Sequence, residues 1–372
     1  MSLLERARRA AIPTVTAAHM PAHAGQNSTG TRLVNASMSM RGWSRLSRFV
    51  SCPYRFARHG SEQEASEALS RGSLGHVILA HLAIHEAAEQ GFSITVNNEV
   101  VTPEQAGEWM SPLAALRASA MSQFRGMELL ASMQDIFAGH LISRTPPSTG
   151  TYRHVEVESE LAGVIGYRNK ERGLWLVHPS EWGKLRDKSQ HWQDENGETR
   201  FRAYDGGTIR ATKQGSAGGD VVWMSRRLDA VWDTPNGIVV VDHKHKAKID
   251  GKVAERSYHH DLGFTVISVL AAQRWPTSYS HTALQFVSTA SADYGRTKIV
   301  ILPRDASNER RAWRDVFDHE VDLARYKQEQ EAGTRSMYEW PRRRLEVGGP
   351  CQTAYGRCPF FDECHPMSYM TV

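Results

Sequence analysis

Cysteine is scarce in this chain, with four residues in 372. A small secreted scaffold held by disulfides would be far denser in cysteine, so that class is excluded. Long apolar runs are missing too. No stretch approaches the roughly 18 consecutive apolar residues that mark a membrane-spanning helix, and the mean hydropathy is -0.48. Neither sign of charge dominates: 45 Lys and Arg against 41 Asp and Glu leave a net +4. The pI of about 8.8 permits nucleic-acid binding without requiring it. Collagen-like composition and internal repeats are absent. What is there is a globular composition, 40% hydrophobic and 23% charged, which excludes a wholly disordered chain. At about 150 residues per domain the length allows one large domain or two smaller ones. No apolar signal-peptide core follows the N-terminus, so a cytoplasmic, reducing compartment is the expectation. Arg6, Arg8 and Arg9 give the first residues a passing likeness to a mitochondrial presequence.

Residues 1–40 lack a sustained period and read as a flexible N-terminal arm, with Met38 and Met40 as alternative starts. Residues 41–150 read as a helical region. Ser44–Phe49 and Cys52–Phe56 suggest a short Ser-capped helix, and 62–91 two helical segments split at Gly72-Ser73-Leu74-Gly75. Residues 103–140 are helical in character after Pro112. The period then changes to that of a sheet core over 151–305: His154–Leu161 alternates like a strand, and 168–220 looks like an insertion rich in Gly, Trp and charge. Leu228–Trp232 and Ile238–Asp242 are strands joined through Pro235-Asn236-Gly237, with Asn-Gly as the hairpin signal. A helix over 261–275, a strand over 297–303 and a charged helix over 307–331 complete the order, the last opening a C-terminal region 306–372. The succession suggests a layered α/β or α+β core.

The hairpin 228–246 carries the chemistry. It ends Val241-Asp242-His243-Lys244-His245. Asp242 and Lys244 are two apart on a strand and so share a face. The apolar run before them makes the strand central and buried on both sides. With Asp229 on the partner strand, two carboxylates and a lysine form an oxygen-ligand site for Mg²⁺ or Mn²⁺, to which the His243 carbonyl adds a donor. Lys244 would then orient or help deprotonate the attacking water. His76, read as the opening of an apolar helix, offers an imidazole ligand. Glu156 and Glu158 precede the hairpin and read as a solvated strand face with a secondary claim as metal carboxylates. Trp175, Trp182, Trp192 and Trp223 lie among Lys170, Arg172, Lys184, Arg186 and Lys188, a mixture that can stack bases but reads first as an ordinary loop region. The run Arg342-Arg343-Arg344 is a candidate for phosphate contact by charge alone.

Three of the four cysteines, Cys351, Cys358 and Cys364, cluster near the C-terminus with six and five residues between them; the fourth, Cys52, is about 300 residues away. Four thiolates suit a [4Fe–4S] cluster, and Cys52 and Cys358 both precede proline. A Cys₄ zinc site is the runner-up, although zinc ligands favour pairs with two to four residues between them, and two disulfides, disfavoured in a reducing compartment, come third.

Together these residues resemble the PD-(D/E)xK nuclease superfamily, in its iron–sulfur branch of RecB/AddB-type nuclease domains, CRISPR-associated exonucleases and phage relatives. Cys52-Pro-Tyr-x-Phe56 resembles the first cluster cysteine of that branch. Gly72-x-x-Gly75-His76 resembles its histidine motif, Leu228-Asp229 its first metal-binding aspartate, and Asp242-x-Lys244 the (D/E)xK element. Cys351-x6-Cys358-Pro-Phe-x3-Cys364 resembles its three-cysteine closure. The resemblance implies an α/β fold with a restriction-endonuclease-like mixed central sheet flanked by helices, a helical N-terminal region and a C-terminal cysteine-ligated cluster loop. It implies metal ligation by His76, Asp229, Asp242 and His243, catalysis by Asp229, Asp242 and Lys244, and a structural cluster on Cys52, Cys351, Cys358 and Cys364. The implied substrate is DNA, foremost single-stranded ends, in recombination, repair or phage DNA processing, with a recombination or helicase partner and a bacterial or phage-infected host. The family's Gln-x-x-x-Tyr is absent; His260-x-x-x-Phe264 occupies similar ground and joins Arg342 and Arg343 as a DNA-contact candidate. No Gly-x4-Gly-Lys-Ser/Thr occurs, so no P-loop ATPase is read here. The alternatives are a catalytically silent DNA-binding or recombination-partner module and a zinc-stabilised interaction protein.

Overall fold

A central hairpin of two strands with opposite apolar faces sets the layers of this protein. The computed structural model describes residues 30–34, 43–59, 67–169, 173–176, 191–193, 199–202, 208–210, 221–249, 258, 261–275, 277–302, 306–341, 352–353, 356–358, 360 and 363. In chain order come helices α1 (Trp43–Ser51), α2 (Pro53–His59) and α3 (Glu67–Glu89), then strands β1 (Ile94–Val96) and β2 (Glu99–Val101). Helices α4 (Pro112–Ala120) and α5 (Gly126–Ser143) lead to strands β3 (Arg153–Asn169), β4 (Gly173–Leu176), β5 (His191–Gln193), β6 (Thr199–Arg202) and β7 (Thr208–Arg210). The hairpin is β8 (Val221–Thr234) and β9 (Gly237–Lys246), followed by α6 (Leu262–Arg274), β10 (Tyr279–Ser288), β11 (Thr297–Leu302), α7 (Ala306–Glu331) and the short β12 (Gln352–Thr353) and β13 (Gly356–Arg357).

The main sheet is mixed, with strand order β11-β10-β9-β8-β3-β1-β2 and β4 added antiparallel to β3. Along β9, Ile238 and Val240 enter one core with Leu228, Val231 and residues of α1, α6 and α7. Val239 and Val241 enter the other, against Ala80, Ala83 and Ile84 of α3. A third cluster packs α3 on α4 and α5. Each such fully buried side chain contributes about 1.5–3 kcal/mol of transfer free energy, and a strand apolar on both faces can only be central. Strand β10 is parallel to β9, so the connection must cross over, and α6 makes that crossing. Asp261 caps α6, its carboxylate accepting from the amides of Gly263 (2.7 Å) and Phe264 (3.3 Å). The expected α/β layering is therefore present.

Several local readings are corrected. Helix α3 runs unbroken through Gly72 and Gly75, so His76 lies well inside a 23-residue helix and does not open one. Helix α1 starts at Trp43, which puts Ser44 in its first turn, outside the cap position, and a second helix follows Cys52. The helical stretch after 103 is a short 3₁₀ turn and two helices separated at 121–125. Pairing of Thr234 with Gly237 makes Pro235-Asn236 the turn, with Gly237 at φ +105°. A two-residue Pro235-Asn236 turn closed by a positive-φ glycine replaces the Asn-Gly turn expected. Residues 30–34 do not belong to a flexible arm: Val34 is buried, its amide donates to His81 Nε2 (3.1 Å), and Arg32 lies over the Trp109 ring. Strand β10 carries no strand signal in the sequence because Thr282, Gln285 and Ser288 are buried among its apolar residues. Thr282 is satisfied by the Tyr279 hydroxyl (2.8 Å), so burial there leaves no apolar run and no alternation to read. Within the insertion 168–220, β5, β6 and β7 form a small sheet of their own.

Candidate metal centre

The strands β8 and β9 are paired only from Thr234↔Gly237 to Ala230↔Val241, and part beyond that point. Asp229 is the first residue past the last pair. Its Oδ2 accepts from the His243 amide at 2.7 Å, replacing the cross-strand carbonyl that the parting removes.

Opposite Asp229 on β3 stands Glu158, placed there by the flanking pairs Val157↔Ala230 and Ser159↔Leu228. Glu158 has φ +48°, a left-handed conformation rare outside glycine. This one residue changes which face the strand presents. Glu156 reaches Arg274 on α6 (2.6 Å), yet Glu158, two residues on, turns to the opposite side and faces α3. Regular alternation would have put the two on one face. Neither carboxylate is solvated: Glu156 is 4% exposed and Glu158 3%, against the solvated face expected.

His76 completes the group from α3. Its Nδ1 lies 3.3 Å from Asp229 Oδ1 and 3.5 Å from Glu158 Oε1. One ligand atom from each of His76, Glu158 and Asp229 falls within 4.8 Å of the others. Glu158 Oε1 is buried without a hydrogen bond among the described residues, while Oε2 pairs with Arg227 (3.0 Å). An imidazole and two carboxylates, one with an orphaned oxygen, are a donor set that fits a divalent cation.

The charges respond to one another. Burial alone would lower the His76 imidazole, but Asp229 and Glu158 outweigh it and hold His76 well above its ordinary value. Burial alone would raise Asp229, and the His76 cation brings it below the usual carboxylate range. Glu158 remains raised, burial exceeding the help from His76. Without a metal, a proton on His76 holds the place a cation would take.

Asp242 and Lys244 lie on the other face, under α6. Lys244 Nζ is 2.5 Å from Asp242 Oδ2 and 5.9 Å from the centre of the Phe264 ring. Arg226 approaches Asp242 at 3.5 Å. Burial would lower Lys244, but Asp242 and then Asp229 raise it above its ordinary value, so the ammonium feels both sides of the opening. Asp242 therefore stands beside the group without joining it, contrary to the ligand set expected from the sequence. His243 and His245 project the other way, towards α3, with ring centres 6.1 and 6.2 Å from that of His76. His243 brings its amide and ring to the site, where its carbonyl was expected. Burial pushes both imidazoles down to about 3, so both are neutral. A Cβ on Gly75 would meet the His245 ring at 2.1 Å, so the glycine is what lets this strand lie so close to α3.

Protein-family models and curated proteins offer no match to this chain.

Sequence reasoning reached His76, Asp229, Asp242 and Lys244 but placed Glu158 in a secondary role. Its signal was the acidic series Glu156, Glu158, Glu160; the left-handed backbone that selects one of them has none. Of the cysteines, Cys52 is buried between α1 and α2, and Cys358 is partly exposed; both are free thiols, and Cys351 and Cys364 lie outside the described residues. The tail does return to α2, the helix that follows Cys52. Glu363 accepts from the Tyr54 hydroxyl (2.8 Å) and pairs with Arg58 (2.9 Å), and Phe360 packs edge-on against Tyr54. His260, Arg342 and Arg343 lie outside the described residues, whereas Phe264 is buried on α6 beside Lys244. No helix among the described residues is long and apolar enough to cross a membrane.

Proposed function

We propose that this chain is a divalent-metal-dependent phosphodiesterase that cleaves DNA, with a restriction-endonuclease-like core of the PD-(D/E)xK type. The observation that carries the reading is the convergence of His76, Glu158 and Asp229 beside the half-buried Lys244. His76, Glu158 and Asp229 would hold Mg²⁺ or Mn²⁺. When bound, such an ion offsets phosphate charge and makes water a better nucleophile. Asp229 is fixed for this role by the His243 amide, and Glu158 by Arg227. Lys244 stays protonated because Asp242 and Asp229 favour its charged form, so it serves as an electrostatic stabiliser of the charge that develops on phosphate and not as a base. Asp242 positions that ammonium. The net +4 charge and the resemblance support a DNA substrate, with single-stranded ends foremost.

The same reading gives Cys52, Cys351, Cys358 and Cys364 a structural [4Fe–4S] cluster, with zinc as the alternative. The docking of Phe360 and Glu363 on Tyr54, two residues on from Cys52, supports it.

The test is a digest of end-labelled linear and circular single-stranded DNA with Mg²⁺ or Mn²⁺. Wild type is expected to cleave, and Asp229→Asn and Lys244→Ala to lose about 10²–10³ in rate, the scale of removing one group that stabilises transition-state charge. Cleavage by Lys244→Ala at the wild-type rate would sink the assignment. A brown purified protein with visible absorption supports iron–sulfur, and a colourless one with bound zinc the alternative.

A further inference from the structure

Arg226 and Arg227 are neighbours on β8, and their side chains go to opposite faces, as strand alternation requires. Arg227, on the α3 face, is well engaged: it pairs with Glu158 (3.0 Å) and donates to the side-chain oxygen of Asn97 (2.9 Å). Arg226, on the α6 face, reaches only Asp242 among the described residues, and at 3.5 Å. Its Nε is buried without a hydrogen-bond partner among them. Asp242 is already held more closely by Lys244 Nζ, at 2.5 Å. Two cations therefore share one carboxylate, which leaves a surplus positive charge. Arg274, on the same face, has a carboxylate of its own in Glu156 at 2.6 Å. The shared group is open to solvent on its cationic side only: the side chains of Arg226 and Lys244 are 18% and 28% exposed, that of Asp242 6%. It lies beyond Ala230↔Val241, where β8 and β9 have parted, and Asp229 of the metal group is three residues along β8 from Arg226. A half-buried guanidinium with donors to spare calls for an anion, and its planar fork matches the oxygens of a phosphate.

We propose that Arg226 is a second phosphate-holding cation of the site, aimed by Asp242 and gripping a backbone phosphate of single-stranded DNA beside Lys244. This deepens the phosphodiesterase reading made above and rests on it. The two cations divide the work. Lys244 answers charge that develops in the transition state, so its loss falls on the rate. Arg226 meets a phosphate whose charge is the same before and during reaction, so its loss falls on affinity. The competing role is that of a plain counter-ion to Asp242, which would leave the salt dependence of DNA binding unmoved.

The test is binding of end-labelled single-stranded DNA by the full chain over a salt series without divalent ion, beside steady-state cleavage with Mn²⁺. Arg226→Met is expected to lower the slope of log affinity against log salt by about 0.7, the share of one phosphate contact on a single strand. It should raise KM at least about tenfold, the scale of one hydrogen bond to a charged group, and by a larger factor than it lowers kcat. Lys244→Ala should show the reverse. Arg226→Lys keeps the charge and should restore the salt slope without the full affinity, since an ammonium lacks the fork. Arg226→Gln carries the same expectation as Arg226→Met and covers a misfolded Met variant. An unchanged salt slope in Arg226→Met and Arg226→Gln, or a loss confined to kcat, overturns the inference and leaves the phosphodiesterase reading standing if wild type cleaves. A wild type that neither binds nor cleaves DNA overturns both.

Discussion

Glu158 shows how much one backbone angle decides. At φ +48° it directs its carboxylate to α3, while Glu156 stays with Arg274 on the far side of the sheet. Gly75 acts at the same scale by leaving room for the His245 ring. Gly75→Ala should destabilise the protein by about 1–3 kcal/mol through overpacking. At Gly72 a Cβ would meet nothing within 4 Å, so Gly72→Ala should stabilise by about 0.5–1 kcal/mol. Urea unfolding of the two variants checks the contrast, and equal effects would refute it. A pH dependence also belongs here. The raised value of His76 means that its pairing stabilises the metal-free fold fully below its unfolded value near 6.5, and that this contribution disappears as pH rises through the folded value. Thermal melts should show metal-free stability declining across that window, and added divalent ion should remove the decline. Metal-free stability that does not fall there would contradict the assigned ion pairs.

At the scale of elements, a buried charged triad holds α3 in place. Glu86 of α3 pairs with Arg144 at the end of α5 and with His154 of β3 (3.2 Å), all three buried. Burial would raise Glu86, but His154 and Arg144 bring it below the usual range, so it is charged. Arg144→Met strands that charge and should cost about 3–5 kcal/mol by denaturant unfolding. Gly237→Ala should cost more than a simple turn change, since φ is +105° and a Cβ would meet the Ser278 carbonyl at 2.3 Å. Elements with a strong period were legible: α6, α7, β11 and the hairpin lie where the pattern puts them. Strand β10 was not, because its buried positions hold Thr, Gln and Ser. The helix runs through Gly72-Ser73-Leu74-Gly75 for a different reason: Gly75 makes room for the His245 ring across the layer, a packing need that no local rule encodes.

The whole molecule joins chain segments that are remote in sequence. Layering and the central position of β9 followed from its apolar run. The partners of that strand's polar end did not, since Asp229, just past the last β8–β9 pair, turns to His76 while Asp242 stays with Lys244 under α6. Far from the centre, α2 holds the tail through Tyr54, Arg58 and Glu363. Cys52→Ser should therefore remove any visible absorption and make the tail the first site of limited proteolysis; a variant as coloured and as resistant as wild type would dismiss the cluster.

The parting of β8 from β9 has a thermodynamic consequence. Asp229 is available only once the hairpin has zipped as far as Ala230↔Val241, and Glu158 only once β3 lies alongside. An unfolded chain therefore offers the ion no comparable cradle. If the proposed centre takes its ion, occupancy would act as a spring on the folding equilibrium, adding about 2.7 kcal/mol when free ion stands at a hundred times its dissociation constant. On the proposed metal centre, a chelator would by the same mass action lower the stability of this protein without touching its surface.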